Sequence, residues 1–258
     1  MKKIHINGLE LWQFEKLGQE NSIQHFVTDR SSHSFEREFT LSFSSSPDKT
    51  FIQENRSLLA VAMGIESTHL HFPSQVHKTR IVHVTGDTRK EELLETDALI
   101  TNMAGVCIAV MSADCVPILL YDKKNNAVGA IHSGWRGTVA RILEKTLQAM
   151  HHTFGTKGED IVAGIGPSVS QDSYEVGEEV VHEVRQSFDH KHDLMIPVGT
   201  SKAKLDLWKA NKVQLMEFGV EPSRIEISDL CTVKNNNYFF SARKGDTGRF
   251  AAGIMVKA

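Results

Sequence analysis

Apolar positions along the chain form short β-type runs near the centre, flanked by longer helical stripes. Residues 51–63, FIQENRSLLAVAM, put Phe51, Ile52, Leu58, Leu59 and Ala62 on one helical face, with Gly64 as a stop. RIVHVTG alternates like a strand and ends in a turn, and TDALITN and GVCIAVMS read as short strands. VPILLYD and AVGAIHS read as two more, separated by the turn-like DKKNN. Over 138–154, Val139, Ile142, Leu143, Leu147 and Met150 recur at helical spacing, and Gly155 is placed to end that helix. DIVAGIGPS predicts an apolar strand entering a Gly-Pro turn. Helices are predicted over 178–188 and 206–218, the second stopped by Gly219. RIEISDLCT and FFSARKG predict closing strands. Strands and helices mix irregularly around a central hairpin, which points to an α+β fold rather than a parallel βαβ series.

That hairpin carries the candidate chemistry. A loop over 122–125 sets Cys115 opposite His132, with Cβ atoms about 5 Å apart on one face. A one-residue slip would separate the two side chains, and Pro117 requires a position outside the hydrogen-bonded ladder. A facing Cys–His pair serves two chemistries. It supplies two ligands of a metal ion, or a Cys115 thiolate with His132 as its base and Asp114 beside them. The plainer alternative is a buried thiol acting as a small hydrophobe, the reading taken for Cys107 and Cys231. A catalytic zinc keeps three protein ligands. His77 in FPSQVHKTRIVHV, His83 further along it, and His69 and His71 before it are all candidates for the third. Asp114 either orients a ligand imidazole, accepts a proton, or caps a turn. HSGWRGT then runs into a helix expected near Thr138. Gly134 and Gly137 permit close backbone approach, and Arg136 adds a cationic fork, together an anion site that suits phosphate.

Composition narrows the classes. A chain of 258 residues buries a sizeable core, and no compositional break divides it, so one domain over 1–258 is expected. SSHSFEREFTLSFSSSPDKT is Ser-rich, yet Phe35, Phe39 and Phe43 argue against a linker. A net charge of −3 implies no broad basic field, so nucleic acid is not the expected partner. Three cysteines do not make a disulfide framework and fit a reducing cytoplasm. MKKIHINGLELWQF lacks the apolar segment and cleavage site of a signal peptide, and the apolar run over 108–120 is interrupted by Asp114 and Pro117. Neither a leader nor a membrane span is expected.

FPSQVH, TDALIT, SADCVPILLYD, AIHSGWRG, GIGPSVSQDSYEVGEEV, LDLWKANKVQL, DLCT and FFSARKGDTGRFAAGIMV follow one another in an order that resembles a known family. It is the laccase-domain, or multicopper polyphenol oxidoreductase-like, family, whose members are described as zinc-dependent purine nucleoside phosphorylases with adenosine deaminase activity. The resemblance runs from about residue 50 to the C-terminus, and the combination of QVH, ADC and HSGWRG is specific to it. It implies one domain with two mixed or antiparallel sheets in α/β/β/α layers. It also implies zinc held by His77, Cys115 and His132. Implied substrates are phosphate and the nucleosides inosine, adenosine, guanosine and methylthioadenosine. Alternative activities attached to the family are copper-dependent polyphenol oxidation and Cys–His hydrolysis of peptidoglycan precursors. Arg56 of ENR and Arg243 of SARKGDTGR stand as phosphate or ribose contacts, with Gly134 at the substrate-facing floor. The N-terminal part departs from the pattern: the family's glycines are missing, and Ser42 stands where an asparagine is expected. A non-catalytic role with a structural metal would need a fourth ligand, for which His83 or Cys231 is available.

Overall fold

The computed structural model describes residues 1–33 and 37–258, so Phe35 lies outside the described residues. The chain opens with three strands absent from the sequence-based expectations: β1 (Lys2–Ile6), β2 (Leu9–Gln13) and β3 (Ile23–Val27). Asn7 and Gly8 both take positive φ, 44° and 89°, and join β1 to β2 as a tight hairpin. Helix α1 (Lys49–Met63) starts on Asp48, whose carboxylate accepts from the Phe51 amide, and ends on Gly64 at φ 71°. Five strands follow in succession, two of them very short: β4 (Leu70–His71), β5 (Ile81–His83), β6 (Ala98–Thr101), β7 (Cys107–Ser112) and β8 (Val116–Asp122). Next come β9 (Ala127–Ser133), α2 (Trp135–Val139), α3 (Ile142–Phe154), β10 (Ile161–Ile165) and β11 (Glu175–Val176). The chain finishes with α4 (Glu178–Ser187), β12 (Met195–Val198), β13 (Lys202–Leu205), α5 (Leu207–Glu217), β14 (Ile225–Ile227) and β15 (Phe250–Val256).

These strands make two six-stranded sheets, β1-β2-β3-β15-β7-β4 and β14-β10-β8-β9-β6-β5, and a small third sheet, β11-β13-β12. Among the described strands, β4–β7, β10–β14 and β5–β6 pair in parallel, so both large sheets are mixed. The fold is α+β, as expected, with the third sheet as an addition. Its layers follow from which face each side chain enters. On β8, Ile118 and Leu120 join the core beneath α3 and α5, while Leu119 and Tyr121 enter the core between the two large sheets. A strand buried on both faces has no need of polar alternation, which explains the unbroken VPILLY run. Each such side chain contributes about 2 kcal/mol of burial. On the outer face of the first sheet, Leu59, Ala62 and Met63 of α1 pack against Phe26, Ala109 and Ala251. The order is therefore α1, sheet, sheet, then α2 to α5. Cys107 lies wholly buried in the outer core, and burial pushes its thiol pKa up, as befits a structural residue.

Two expected elements differ. The helix over 138–154 is two helices, because Arg141 takes φ 59° between them. Its guanidinium is held there by Glu144 and Glu217. FFSARKG is not a strand. Phe239 and Phe240 fill the core, but the Asp246 carboxylate accepts from the Ser241 amide (2.8 Å) and turns the backbone away from any sheet. Among the described residues, no helix is long and apolar enough to cross a membrane.

His25 of β3 gives the fold a pH dependence. It is 1% exposed, and its Nε2 accepts from the Phe14 amide at 3.0 Å. Burial, only partly opposed by Glu226, lowers its pKa to about 4. The unfolded chain takes up this proton near pH 6.5 and the folded chain does not, so stability is lost as pH falls from 6.5 towards 4. The loss at the lower end amounts to about 3 kcal/mol. Urea unfolding across this range should show that slope, and His25→Gln should flatten it. Equal slopes in the two proteins would remove His25 as the cause.

Candidate metal centre

The β8–β9 hairpin turns through Lys123 to Asn126, with Asp122 paired to Ala127 and Pro117 paired to His132. The expected register, Cys115 opposite His132, is therefore out by two residues. Because side chains alternate with period two, the slip leaves Cys115 and His132 on the same face. The His132 amide donates to the Asp97 carbonyl on β9's other side, so Pro117 sits opposite a residue that makes no ladder bond to it. Cys115 lies just before β8, at the position level with Gly134 just beyond β9.

His77 joins this pair from the segment before β5. The ligand atoms of His77, Cys115 and His132 all lie within 4.8 Å of one another, and this is the one such group of three among the described residues. The imidazoles of His77 and His132 meet edge to face, with centroids 4.8 Å apart. His77 is exposed, Cys115 half-buried and His132 buried, so the group opens to solvent on one side. Gly134 completes the cradle. A Cβ there would lie 2.8 Å from the Cys115 sulfur and 3.2 Å from the His77 ring. Two imidazoles and a thiolate suit zinc in an open three-ligand site, and the thiolate also suits copper. His69, His71, His83 and Cys231 stay outside the group. His83 stacks edge-on against Phe154, and Cys231 accepts from the Ser170 amide at 3.4 Å.

The electrostatics favour a charged pair. Burial opposes ionisation of Cys115, but His132 and His77 outweigh it and bring the thiol down, favouring the thiolate. Burial likewise opposes the His132 imidazolium, and the thiolate with Asp97 raises that pKa. Asp97, just ahead of β6, is the carboxylate that the sequence reading passed over. Its Oδ1 lies 2.9 Å from Nδ1 of His132, and the amides of Val76, His77 and Lys78 all donate to it. Metal-bound imidazoles characteristically donate their second nitrogen to a carboxylate, and that rule was the available signal.

Asp114 does not orient an imidazole. Its φ is 90°, its Oδ1 accepts from Thr232 (2.6 Å), and its Oδ2 accepts from the Arg243 amide (2.8 Å). It thereby anchors Arg243 beside the site. The Arg243 guanidinium lies 4.6 Å from the Tyr174 ring centroid and donates to the Glu175 carbonyl. Tyr174, also missed from sequence, is buried. Desolvation, the nearby Cys115 and Asp114 push its hydroxyl pKa up to about 12. Arg136 is exposed on α2, which starts at Trp135 rather than Thr138, and stacks on Trp135. Arg56 projects from α1 between Phe43 and Phe72, donates Nε to the Leu41 carbonyl, and has its pKa lowered to about 10 by burial. Ser42, in the place of the expected asparagine, pairs with Ser44 at 2.8 Å.

Known proteins share this arrangement of the chain. A purine nucleoside phosphorylase of Bacteroides thetaiotaomicron is 40% identical over 257 residues, covering 94% of this chain and 95% of that one. Adenosine deaminase RL5, from an unknown prokaryotic organism, is 34% identical and covers 81% of this chain and 84% of its own. The crystal structure of YlmD from Geobacillus stearothermophilus superposes with a TM-score of 0.88 at 28% identity, covering 97% of both chains. The hypothetical protein YfiH of Bacillus licheniformis does so at 26% identity, with the same TM-score and coverage. The family model described as multi-copper polyphenol oxidoreductase laccase matches residues 24–257, reaching well upstream of the ENR helix. This chain belongs to the multi-copper polyphenol oxidoreductase laccase family.

Proposed function

We propose that the protein is a zinc-dependent purine nucleoside phosphorylase that also deaminates adenosine. The observation that carries this reading is the convergence of His77, Cys115 and His132 beside an open face. The names of the related proteins supply the substrate class. When bound, zinc would supply Lewis acidity at that face. In phosphorolysis, a phosphate oxygen attacks the ribose anomeric carbon as the bond to the purine nitrogen breaks, and the base leaves with a proton. In deamination, water adds at purine C6 and ammonia leaves.

The chain's own residues handle charge and position. Arg243 is tied beside Cys115 through Asp114, Arg136 follows Gly134 by two residues on α2, and Arg56 lies near Met111 of β7. Among the described residues none of the three has a carboxylate within ion-pair distance, so their charge is available to phosphate. Gly134 keeps the floor free of side-chain bulk, and Asp114 holds Arg243 rather than moving a proton.

One observation favours a second reading. His132 lies with a ring nitrogen within 4.8 Å of the Cys115 sulfur and its Nδ1 2.9 Å from Asp97, the nucleophile–base–orienter order of a Cys–His hydrolase. An assay of inosine with and without phosphate separates the two. The proposal expects hypoxanthine release that requires phosphate and is lost on chelation. Release of hypoxanthine independent of phosphate would contradict it, and turnover of catechols only, with added copper, would support the oxidase name instead.

A further inference from the structure

We propose that Asp97 is the positioning residue of the ligand group, holding both imidazoles against the sulfur through one buried carboxylate. This rests on the metal-site reading above. Asp97 stands at the head of β6, the strand between β5, which follows His77, and β9, which ends beside His132. Ala98 pairs with Ile81 on one side and Ile131 on the other, so the three strands deliver their ends to one place.

The carboxylate is wholly buried, and its hydrogen bonds go to the two segments that carry histidine ligands. Oδ1 accepts from the His77 amide at 2.9 Å and lies 2.9 Å from Nδ1 of His132. Oδ2 accepts from the amides of Val76 (3.2 Å) and Lys78 (2.9 Å). Three consecutive amides closing on one anion form a nest. The nest accounts for the left-handed backbone of His77, φ 61°, which a residue with a Cβ keeps only when its surroundings hold it. On the other side, accepting the Nδ1 proton leaves Nε2 of His132 as the atom presented to the cluster. The His132 amide on the Asp97 carbonyl, 2.8 Å, adds a main-chain tie. An asparagine would keep the shape but turn an NH2 group toward donors.

Asp97→Asn should bind zinc about 10–100-fold more weakly than the wild type in competition with a chromogenic chelator, with unchanged far-UV circular dichroism. A folded variant whose zinc affinity stays within about twofold of wild type overturns the proposal. Should the variant fail to fold, histidine-labelled wild-type protein decides by NMR. The Nδ1 proton of His132 is expected both before and after zinc is added, and a zinc-loaded His132 protonated at Nε2 instead overturns the proposal. A wild type that binds no zinc defeats the metal reading. The Nδ1 proton of the metal-free protein still tests the hold of Asp97 on the ring.

Discussion

Cys115→Ala is expected to remove bound metal and phosphorolysis together. The sulfur is the only anionic donor in the His77–Cys115–His132 group, and both imidazoles bring a ligand nitrogen within 4.8 Å of it. Without it, two imidazole nitrogens on separate segments remain. Loss of a direct ligand should exceed the 10–100-fold penalty typical of an outer-shell change, so dialysed protein should retain less than about a tenth of a zinc per chain. Activity should fall by more than about 100-fold. The fold should persist, because Cys115 is half-buried at a strand end rather than packed in a core. Cys115→Ser, with a hydroxyl that stays neutral near pH 7, should behave like the alanine variant. Metal retained in full while activity disappears would identify the sulfur as a nucleophile and favour the hydrolase reading.

Gly134→Ala should also weaken the site, by less and for a different reason. Gly134 has φ −72°, so alanine meets no backbone penalty there. All of its effect would come from the added carbon, 2.8 Å from the Cys115 sulfur and 3.2 Å from the His77 ring. Both neighbours are short side chains held by their own backbones, and relief requires moving a ligand. Overpacking of this kind costs about 1–3 kcal/mol. Here it falls on ligand geometry, so zinc affinity and turnover should drop by about 10-fold or more while the melting temperature changes little. Gly155→Ala is a useful contrast: its φ is 78° and no atom lies within 4 Å of the added carbon, so it should lower stability through backbone strain and leave zinc affinity alone. Equal zinc affinity in Gly134→Ala and wild type would mean the cradle has slack.

The sequence and structure agree where local signals and burial coincide. The strands of the central hairpin read as unbroken apolar runs bounded by a turn, and α1 carries a helical apolar stripe that ends at Gly64. The pairing of Cys115 with His132 came through a wrong register because a two-residue slip preserves faces. Other features depend on contacts distant in sequence. The break at Arg141 reflects Glu217 on another helix, and the turn after Phe240 reflects Asp246 and Asp114. The first hairpin did have a local signal, Asn7-Gly8 between alternating residues. Asp97 is the instructive omission. It precedes an apolar strand, as many turn aspartates do, and only the folded chain brings three amides and an imidazole to it. Asp114, adjacent to a ligand in sequence, proves to serve Thr232 and Arg243 instead.

The central claim is that His77, Cys115 and His132 bind one metal ion together. Zinc-edge X-ray absorption on the loaded protein tests it most directly. The predicted first shell has one sulfur at about 2.3 Å and two imidazole nitrogens at about 2.0–2.1 Å, with one further light atom. A shell with no sulfur, or one unchanged in Cys115→Ala, would contradict it.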